Sequence, residues 1–206
     1  MKVYFVRHGE TDANALGVHQ SPLVGLNEKG RGQVQFLAER LQKIPIDFIY
    51  SSALPRAKET VAIINEKLNK PSEFTDLLSE IKQPSELYGL MEGDPEAKRI
   101  QKLRIENFGK PGWKFSDEEN FENRKERAIK FVDHLIASGK ENILVVTHGG
   151  FGRVIISLLM FGKEYTPVED RKLFSFFQSY NTGITFCEYS DGKWQLITWN
   201  DLAHLG

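Results

Sequence analysis

The segment KVYFVRHGET, residues 2–11, joins a short apolar run to a polar turn. Its first half, Lys2 to Val6, is rich in β-branched and aromatic residues, which is typical of a buried strand. Arg7-His8-Gly9-Glu10-Thr11 follows directly. Ligands of open α/β sheets bind outside the carboxyl ends of the strands, so we expect this polar turn to face a ligand.

Apolar strands and amphipathic helices alternate along most of the chain. Further strands are predicted at Ile46–Tyr50 and Asn142–Thr147, with a short one near Phe74. Apolar residues at helical spacing predict helices over residues 31–43, 55–68, 119–138 and 150–161. This alternation predicts an α/β fold, a three-layer α/β/α arrangement around a mostly parallel central sheet.

Two regions depart from the alternation. Gly183–Tyr189 and Lys193–Trp199 flank Ser190-Asp191-Gly192, a pattern that predicts a C-terminal β-hairpin. Residues 81–118 are polar, contain three prolines and lack a clear period, which predicts a lid-like insertion over one end of the sheet. We expect residues 1–206 to form a single domain that carries this insertion.

Composition and charge exclude several classes of protein. The 206 residues include 27 Lys and Arg and 28 Asp and Glu, a formal net charge of −1 that gives no general attraction to nucleic acid or anionic membranes. The single cysteine, Cys187, excludes an intramolecular disulfide and a cysteine-based zinc site. No signal peptide or membrane-spanning run is present, so we expect a cytoplasmic protein without nucleic-acid or membrane partners.

Three polar clusters follow three of the predicted strands. They are Arg7 to Thr11 with Asn14, Ser51-Ser52 with Arg56, and Thr147-His148-Gly149-Gly150. If the strands are parallel neighbours, the clusters meet at one edge of the sheet. Arginine matches phosphate oxygens in a bidentate fork, while glycine-flanked turns and helix N-termini present backbone N–H groups. The combination predicts a pocket for a tetrahedral phosphoryl group.

The same clusters resemble the motifs of the histidine phosphatase superfamily, which has the phosphoglycerate-mutase-like fold. The resemblance rests on four ordered motifs: RHGET with Asn14, SSALPRAKET at residues 51–60, Leu78-Ser79-Glu80, and THGG at residues 147–150. They occur in the family's order and at its usual separations. A single RHG tripeptide is weak support, whereas four ordered motifs over most of the chain are strong support.

The resemblance implies a metal-independent phosphatase that needs no cofactor and acts on a small phosphorylated substrate. His8 would attack as a neutral imidazole and form a phosphohistidine, and Glu80 would be the general acid and base. Arg7, Arg56 and His148 would bind the phosphoryl oxygens, and the family's pocket implies further contacts from Asn14 and Gly149. The alternatives are a phosphoglycerate-mutase-type phosphoryl transferase and a phospho-ligand binding protein without turnover; the compact chain favours hydrolysis.

Several points stay open at this stage. Glu86 and Glu92 are rivals of Glu80 for the acid, because the sequence after Glu80 departs from the pattern of many relatives. The basic run Lys98, Arg99, Lys102 and Arg104 is expected to be a solvated helix face, with contact to an anionic substrate group as the alternative. Phe174, Phe176 and Phe177 are expected in the core rather than at an interface. The substrate and the oligomeric state are not predicted.

Overall fold

The computed structural model describes all residues 1–206, and its centre is a single six-stranded sheet. The strands are β1 (Lys2–Arg7), β2 (Phe48–Ser52), β3 (Ser72–Thr75), β4 (Asn142–Thr147), β5 (Ile184–Ser190) and β6 (Lys193–Asp201). Their order across the sheet is β3-β2-β4-β1-β5-β6. The first four strands are parallel to one another. Strand β5 pairs antiparallel with β1, and β6 pairs antiparallel with β5. The predicted mostly parallel sheet is confirmed.

Seven α-helices connect and cover these strands. They are α1 (Asp12–Leu16), α2 (Glu28–Leu41), α3 (Pro55–Leu68), α4 (Pro95–Asn107), α5 (Phe121–Ala137), α6 (Gly149–Phe161) and α7 (Pro167–Phe176). None of them combines the length and the apolar character that crossing a lipid bilayer requires.

The alternation of side chains along β4 separates two hydrophobic layers. Ile143 and Val145 belong to the core cluster formed with α5 and α6, whereas Leu144 and Val146 belong to the cluster formed with α2 and α3. Successive residues of a strand point to opposite faces, so a strand buried on both faces needs a continuous apolar run. The predicted three-layer arrangement is therefore confirmed, and β4 lies at its centre.

The C-terminal hairpin is also as predicted. Its turn residues Asp191 and Gly192 have φ angles of 51° and 77°, the left-handed values that a two-residue type I′ turn requires. Because β5 is antiparallel to β1, the start of β5 lies at the carboxyl edge of the parallel strands. This reversal brings the loop before β5 to the same edge as the polar turn after β1.

Within the predicted insertion, residues 95–107 form α4, although the sequence there shows no clear period. Its buried positions are few, Ala97 and Ile100, so the apolar stripe is too thin to show a period in the sequence. Pro95 begins the helix rather than breaking one, since a proline in the first turn loses no hydrogen bond. Leu87 completes a small cluster with the two buried residues of α4.

The expectation of a core position for the three phenylalanines holds only in part. Phe174 and Phe177 are partly buried and pack against the larger core cluster. Phe176, by contrast, is 80% exposed at the end of α7. Each residue of a helix is rotated by about 100° around the helix axis relative to the one before, so neighbours in sequence cannot all face the core.

Candidate active site

A cleft of about 750 Å³ opens at the carboxyl edge of the parallel strands. Its walls come from the turn after β1, the starts of α3 and α6, the segment after Glu80, and the loop between α7 and β5. The three polar clusters of the sequence therefore do converge at one edge, because β1, β4 and β2 are neighbours in the sheet.

The turn after β1 is fixed by close backbone packing on α2. A side chain at Gly9 would place its Cβ 2.7 Å from the Gly30 carbonyl oxygen, and one at Gly30 would come within 2.1 Å of the Glu10 carbonyl oxygen. The Gly9 amide donates to Thr60 Oγ1 of α3 at 3.2 Å. Glycine at both contact points thus allows two backbones to touch and holds His8 in place.

The hydrogen bonds of His8 define its tautomer. Its Nδ1 lies 2.7 Å from the Gly9 carbonyl oxygen, which can only accept, so Nδ1 carries the proton. The guanidinium Nε–H of Arg56 donates to His8 Nε2 at 3.2 Å. Nε2 therefore carries the lone pair, which accepts from Arg56, and this pattern of hydrogen bonds is that of a neutral imidazole.

Burial and positive neighbours keep this imidazole neutral. Burial lowers the pKa of His8 well below its usual value, and the nearby charges of Arg56 and Arg7 lower it further. The pKa of His148 is also well below the usual value, first because of burial and then because of the same two arginines. The two rings lie 5.1 Å apart, centre to centre, at the ends of β1 and β4.

His148 is held by the second polar cluster. Its Nε2 lies 2.8 Å from Ser52 Oγ, and Ser52 Oγ accepts from the Leu54 amide at 3.2 Å. The other ring nitrogen, Nδ1, is buried and has no hydrogen-bond partner within the protein. This arrangement leaves His148 with one nitrogen for a ligand.

Two arginines flank the histidines. Arg56 lies in the first turn of α3 and is only 3% exposed, and burial lowers its pKa. Arg7 at the end of β1 donates to the Ser179 carbonyl oxygen and lies against Gly149, where a Cβ would come within 3.3 Å of its guanidinium carbon. The buried Nε of Arg7 has no protein partner. Both arginines line the cleft.

Glu80 caps the start of α6. Its carboxylate accepts from the amides of Gly150 at 3.1 Å, Phe151 at 2.8 Å and Ile81 at 2.8 Å. Arg7 and Arg56 are close enough that the charge of Glu80 raises their pKa values against the effect of burial. The carboxylate thus lies at the start of α6 and lines the cleft with its oxygens held as acceptors.

The rival carboxylates lie elsewhere. Glu86 is exposed and accepts from the Ser116 hydroxyl at 2.8 Å, outside the cleft. Glu92 lines the cleft, but its side chain is exposed. The Glu92 amide donates to the Gly17 carbonyl oxygen. Of the three candidates, Glu80 alone is joined to the backbone of the third polar cluster.

Asn14 and Gly149 also line the cleft. Asn14 Oδ1 accepts from Asn181 Nδ2 at 3.2 Å, and the same Nδ2 donates to the His8 carbonyl oxygen at 2.9 Å. Gly149 is the first residue of α6, where backbone N–H groups point out of the helix.

Sequence reasoning missed two residues of this site. Asn181 belongs to the loop before β5, and Arg153 lies one turn into α6 and donates to the Gly149 carbonyl oxygen at 3.0 Å. The signal for Asn181 is its place just before a hairpin strand, which reaches the ligand edge only if that strand runs antiparallel. For Arg153 the signal is its position four residues after Gly149, which is about one helical turn and puts both residues on the same face of α6.

The donor set of the cleft is imidazole, guanidinium and amide with one capped carboxylate. No group of three or more His, Cys, Asp or Glu side chains is clustered anywhere in the chain in a way that could hold a metal ion.

Comparison with known proteins agrees with this geometry. The family model described as the histidine phosphatase superfamily, branch 1, matches residues 3–202. A Schizosaccharomyces pombe protein named as a probable phosphatase is 34% identical, over 100% of this chain and 95% of its own length. A metal-independent phosphoserine phosphatase of Arabidopsis thaliana is 31% identical, over 99% of this chain and 83% of its own length.

The solved structures give the same result. A phosphoserine phosphatase variant of Entamoeba histolytica, in complex with phosphoserine, superposes with a TM-score of 0.77 at 28% identity. The superposition covers 99% of this chain and 98% of that one. The chain is therefore a phosphatase that belongs to branch 1 of the histidine phosphatase superfamily.

Proposed function

We propose that this enzyme hydrolyses small phosphomonoesters without a metal ion, through a phosphohistidine intermediate on His8. The observation that carries the proposal is the hydrogen bonding of His8: Nδ1–H is bound to the Gly9 carbonyl oxygen, so Nε2 carries the lone pair that acts as the nucleophile. The Arg56 Nε–H that contacts Nε2 at 3.2 Å marks the place where a phosphoryl oxygen would bind.

In the first step, His8 Nε2 attacks phosphorus and the bond from phosphorus to the ester oxygen breaks. The phosphoryl oxygens lie against Arg7, Arg56, His148 and the Gly149 amide, which stabilise the charge of the transition state. Asn14 lies at the edge of this pocket, where it binds the same group. The Glu80 carboxyl, when protonated, gives its proton to the leaving oxygen, which departs as an alcohol.

In the second step, water attacks the phosphohistidine. The Glu80 carboxylate takes a proton from this water, a new P–O bond forms, and the P–N bond to His8 breaks. Inorganic phosphate leaves, and His8 returns to the neutral imidazole that the Gly9 carbonyl oxygen favours. Glu80 donates a proton in the first step and accepts one in the second, so its protonation state is restored after each turnover.

The relatives support hydrolysis without a metal ion. The Arabidopsis relative is named as metal-independent and as a phosphoserine phosphatase, and the Entamoeba structure is of a phosphatase with bound phosphoserine. Both names describe release of phosphate from a small phosphomonoester, the class of reaction that this cleft is proposed to perform.

The test is hydrolysis of p-nitrophenyl phosphate with a metal chelator present throughout. We expect turnover by the wild type, and a loss of at least about a thousandfold in His8→Ala, because the variant lacks the nucleophile. The matched control is His134→Ala, which removes an exposed histidine of α5 and should keep full activity.

Three outcomes count against the proposal. Activity that disappears with the chelator would show a metal-dependent reaction. A fully active His8→Ala enzyme would show another nucleophile. Wild-type activity on phosphoglycerate only in the presence of a bisphosphorylated activator would identify a mutase instead.

A further inference from the structure

Ser52, the last residue of β2, is the side chain that holds the His148 ring. Ser52 Oγ has two hydrogen-bond partners in the protein, the Leu54 amide at 3.2 Å and His148 Nε2 at 2.8 Å. Ser52 is fully buried, so bulk solvent does not reach its hydroxyl group. The direction of the hydrogen bond between Ser52 and His148 is therefore decided by these two partners.

The two partners leave the hydroxyl proton of Ser52 a single acceptor. A backbone N–H can only donate, so the Leu54 amide occupies one lone pair of Ser52 Oγ. The hydroxyl proton then has His148 Nε2 as its acceptor. In the opposite direction, with Nε2–H donating to Oγ, a buried hydroxyl proton would have no acceptor, which is unfavourable. Ser52 therefore donates to His148, and Nε2 carries the lone pair.

The position of this lone pair fixes the other nitrogen of the ring as well. Burial lowers the pKa of His148 well below its usual value, and the charges of Arg56 and Arg7 lower it further, so the ring is neutral. A neutral imidazole has one N–H and one lone pair. With the lone pair on Nε2, the proton of His148 lies on Nδ1.

His148 Nδ1 is then a buried donor that no group of the protein accepts. It has no hydrogen-bond partner, although buried polar groups nearly always have one. The His148 ring lies 5.1 Å from the His8 ring, centre to centre, and the next residue, Gly149, lines the cleft. A phosphoryl group at His8 has oxygens that accept hydrogen bonds. Such a group therefore supplies the acceptor that Nδ1–H lacks.

We propose that Ser52 is a positioning residue, whose hydroxyl holds His148 in the Nδ1–H tautomer so that this ring donates a hydrogen bond to the phosphoryl group. The inference rests on the proposed function and adds a residue to it. Ser52 does not line the cleft, so it acts on the substrate only through His148. In the other tautomer, Nδ1 would present a lone pair to the phosphoryl oxygens and would repel them.

His8 shows how the partner of a ring decides what the ring can do. There the Gly9 carbonyl oxygen accepts from Nδ1–H, which leaves the Nε2 lone pair for attack on phosphorus. At His148 a hydroxyl donor occupies the Nε2 lone pair and leaves Nδ1–H for the ligand. Both rings thus have the same tautomer, but the backbone acceptor makes His8 a nucleophile and the Ser52 donor makes His148 a hydrogen-bond donor.

The first experiment observes the tautomer directly by NMR. Proton–nitrogen correlation spectra of protein with isotope-labelled histidine distinguish the two tautomers of a neutral imidazole, and the spectrum of His148→Gln assigns the signals. We expect the Nδ1–H tautomer for His148 in the wild type and a mixture of both tautomers in Ser52→Ala. The Nε2–H tautomer in the wild type would overturn the proposal, whether or not Ser52→Ala folds. An unchanged Nδ1–H tautomer in a folded Ser52→Ala would overturn it too.

The second experiment measures hydrolysis of p-nitrophenyl phosphate and inhibition by inorganic phosphate. Ser52→Ala should lower kcat/KM about ten- to hundredfold, less than outright loss of a transition-state donor, because part of the population keeps the productive tautomer. It should also weaken inhibition by phosphate about tenfold, since the bound phosphate loses the same donor. Ser52→Thr keeps the hydroxyl and should restore most of both.

The matched control is Ser157→Ala. Ser157 is also fully buried, and its hydroxyl donates to the Arg153 carbonyl oxygen at 3.0 Å rather than to a histidine. This variant should stay within about twofold of the wild type in both measurements. Equal losses in Ser52→Ala and Ser157→Ala would show a general effect of removing a buried hydroxyl and would count against the proposal.

A double variant tests whether Ser52 acts through His148. In the background of His148→Ala, Ser52→Ala should change kcat/KM by no more than about twofold, because no ring remains whose tautomer Ser52 can set. The same loss in both backgrounds, with turnover that still depends on His8, would overturn the inference and leave the proposed function intact. Turnover that does not depend on His8 would instead overturn the proposed function.

Discussion

The two ends of the cleft are built from different parts of the fold. At the phosphoryl end, His8, Arg56 and His148 lie just after the ends of parallel strands, and hydrogen bonds from neighbouring loops hold the two histidines. At the other end, where the cleft meets a second cavity of about 270 Å³, Arg104 and Arg124 project from helices α4 and α5 and pair with the buried Glu118 and Asp170. The comparison teaches that sheet topology places the proposed chemistry, whereas helices outside the sheet build the far end of the cleft.

The two ends also differ in how firmly they are fixed. The segment before Glu80 is bound by Thr147 Oγ1, which donates to the Leu78 carbonyl oxygen at 2.8 Å. Arg127 donates to the carbonyl oxygens of Leu77 at 3.0 Å and Ser79 at 2.7 Å. The far end of the cleft is held by the ion pairs of Arg104 with Glu118 and of Arg124 with Asp170. Substitutions at the phosphoryl end should therefore impair turnover of every substrate.

The largest effect at the phosphoryl end is expected for Glu80→Gln. It should lower kcat by roughly 10²–10⁴, because the amide cannot transfer the proton, while inhibition by inorganic phosphate stays within a few-fold. Glu86→Gln is the matched control and should stay within about twofold of wild type, since Glu86 lies outside the cleft. Steady-state kinetics with p-nitrophenyl phosphate measures both, and the reverse pattern would assign the acid to Glu86.

Arg56→Lys is the next largest. We expect kcat/KM to fall by roughly 10²–10³, because lysine lacks the planar fork that contacts His8 and is proposed to bind the phosphoryl group. Every substrate should lose by the same factor, because all of them present the same phosphoryl group. A loss confined to some substrates would contradict this role of Arg56.

Gly150→Ala tests how closely α6 and Glu80 fit. A Cβ at this position would lie 2.5 Å from Glu80 Oε1, so the carboxylate must move. We expect kcat to fall by roughly ten- to a hundredfold with little change in phosphate inhibition. Gly152→Ala, where the Cβ would lie an ordinary 3.6 Å from Thr147 Cγ2, is the control in the same helix. Equal activity of the two variants would show that Glu80 tolerates the shift.

The smallest effect is the pH dependence of stability. The pKa values of His8 and His148 are lowered well below 6.5 by burial, so the unfolded chain binds their protons at a higher pH than the folded chain does. The stabilisation is fully present above pH 6.5 and is lost as the pH falls below it. Each histidine contributes a slope of up to about 1.4 kcal/mol per pH unit.

Urea unfolding between pH 5 and 7 measures this slope. The variant His148→Gln should show a smaller slope than the wild type, by up to one proton's contribution. His134→Gln is the control, because His134 is exposed. A slope that is the same in the wild type and His148→Gln would mean that the buried ring is charged in the folded protein.

The convergence of the three polar clusters at one sheet edge could be predicted from the sequence, for a physical reason. The residues there follow apolar strands directly, so their place at the sheet edge depends only on strand order and direction. Asn181 escapes this logic because it reaches the edge through an antiparallel strand whose direction the hairpin alone does not determine. The polar turn after β1, by contrast, follows its strand within one stretch of ten consecutive residues, 2–11.

The far end of the cleft, around Arg104 and Arg124, is not predictable in the same way. Arg104 belongs to a basic run that looks uniformly solvated, and only the packing of α4 turns it toward the cleft. Arg124 meets its partner Asp170 across 46 residues of sequence, on a different helix. Such tertiary pairs leave no periodic signal, so neither the ion pairs nor the second cavity follows from local sequence patterns.

The most direct test of the account is a search for the phosphoenzyme. Glu80→Gln is mixed with a phosphomonoester and quenched within a single turnover, and the phosphorylated residue is identified by peptide mass spectrometry under alkaline conditions. The account predicts phosphate on His8, acid-labile and stable to alkali, and none in His8→Ala. Phosphate on another residue would contradict it, and so would wild-type turnover with no phosphoenzyme formed at any time.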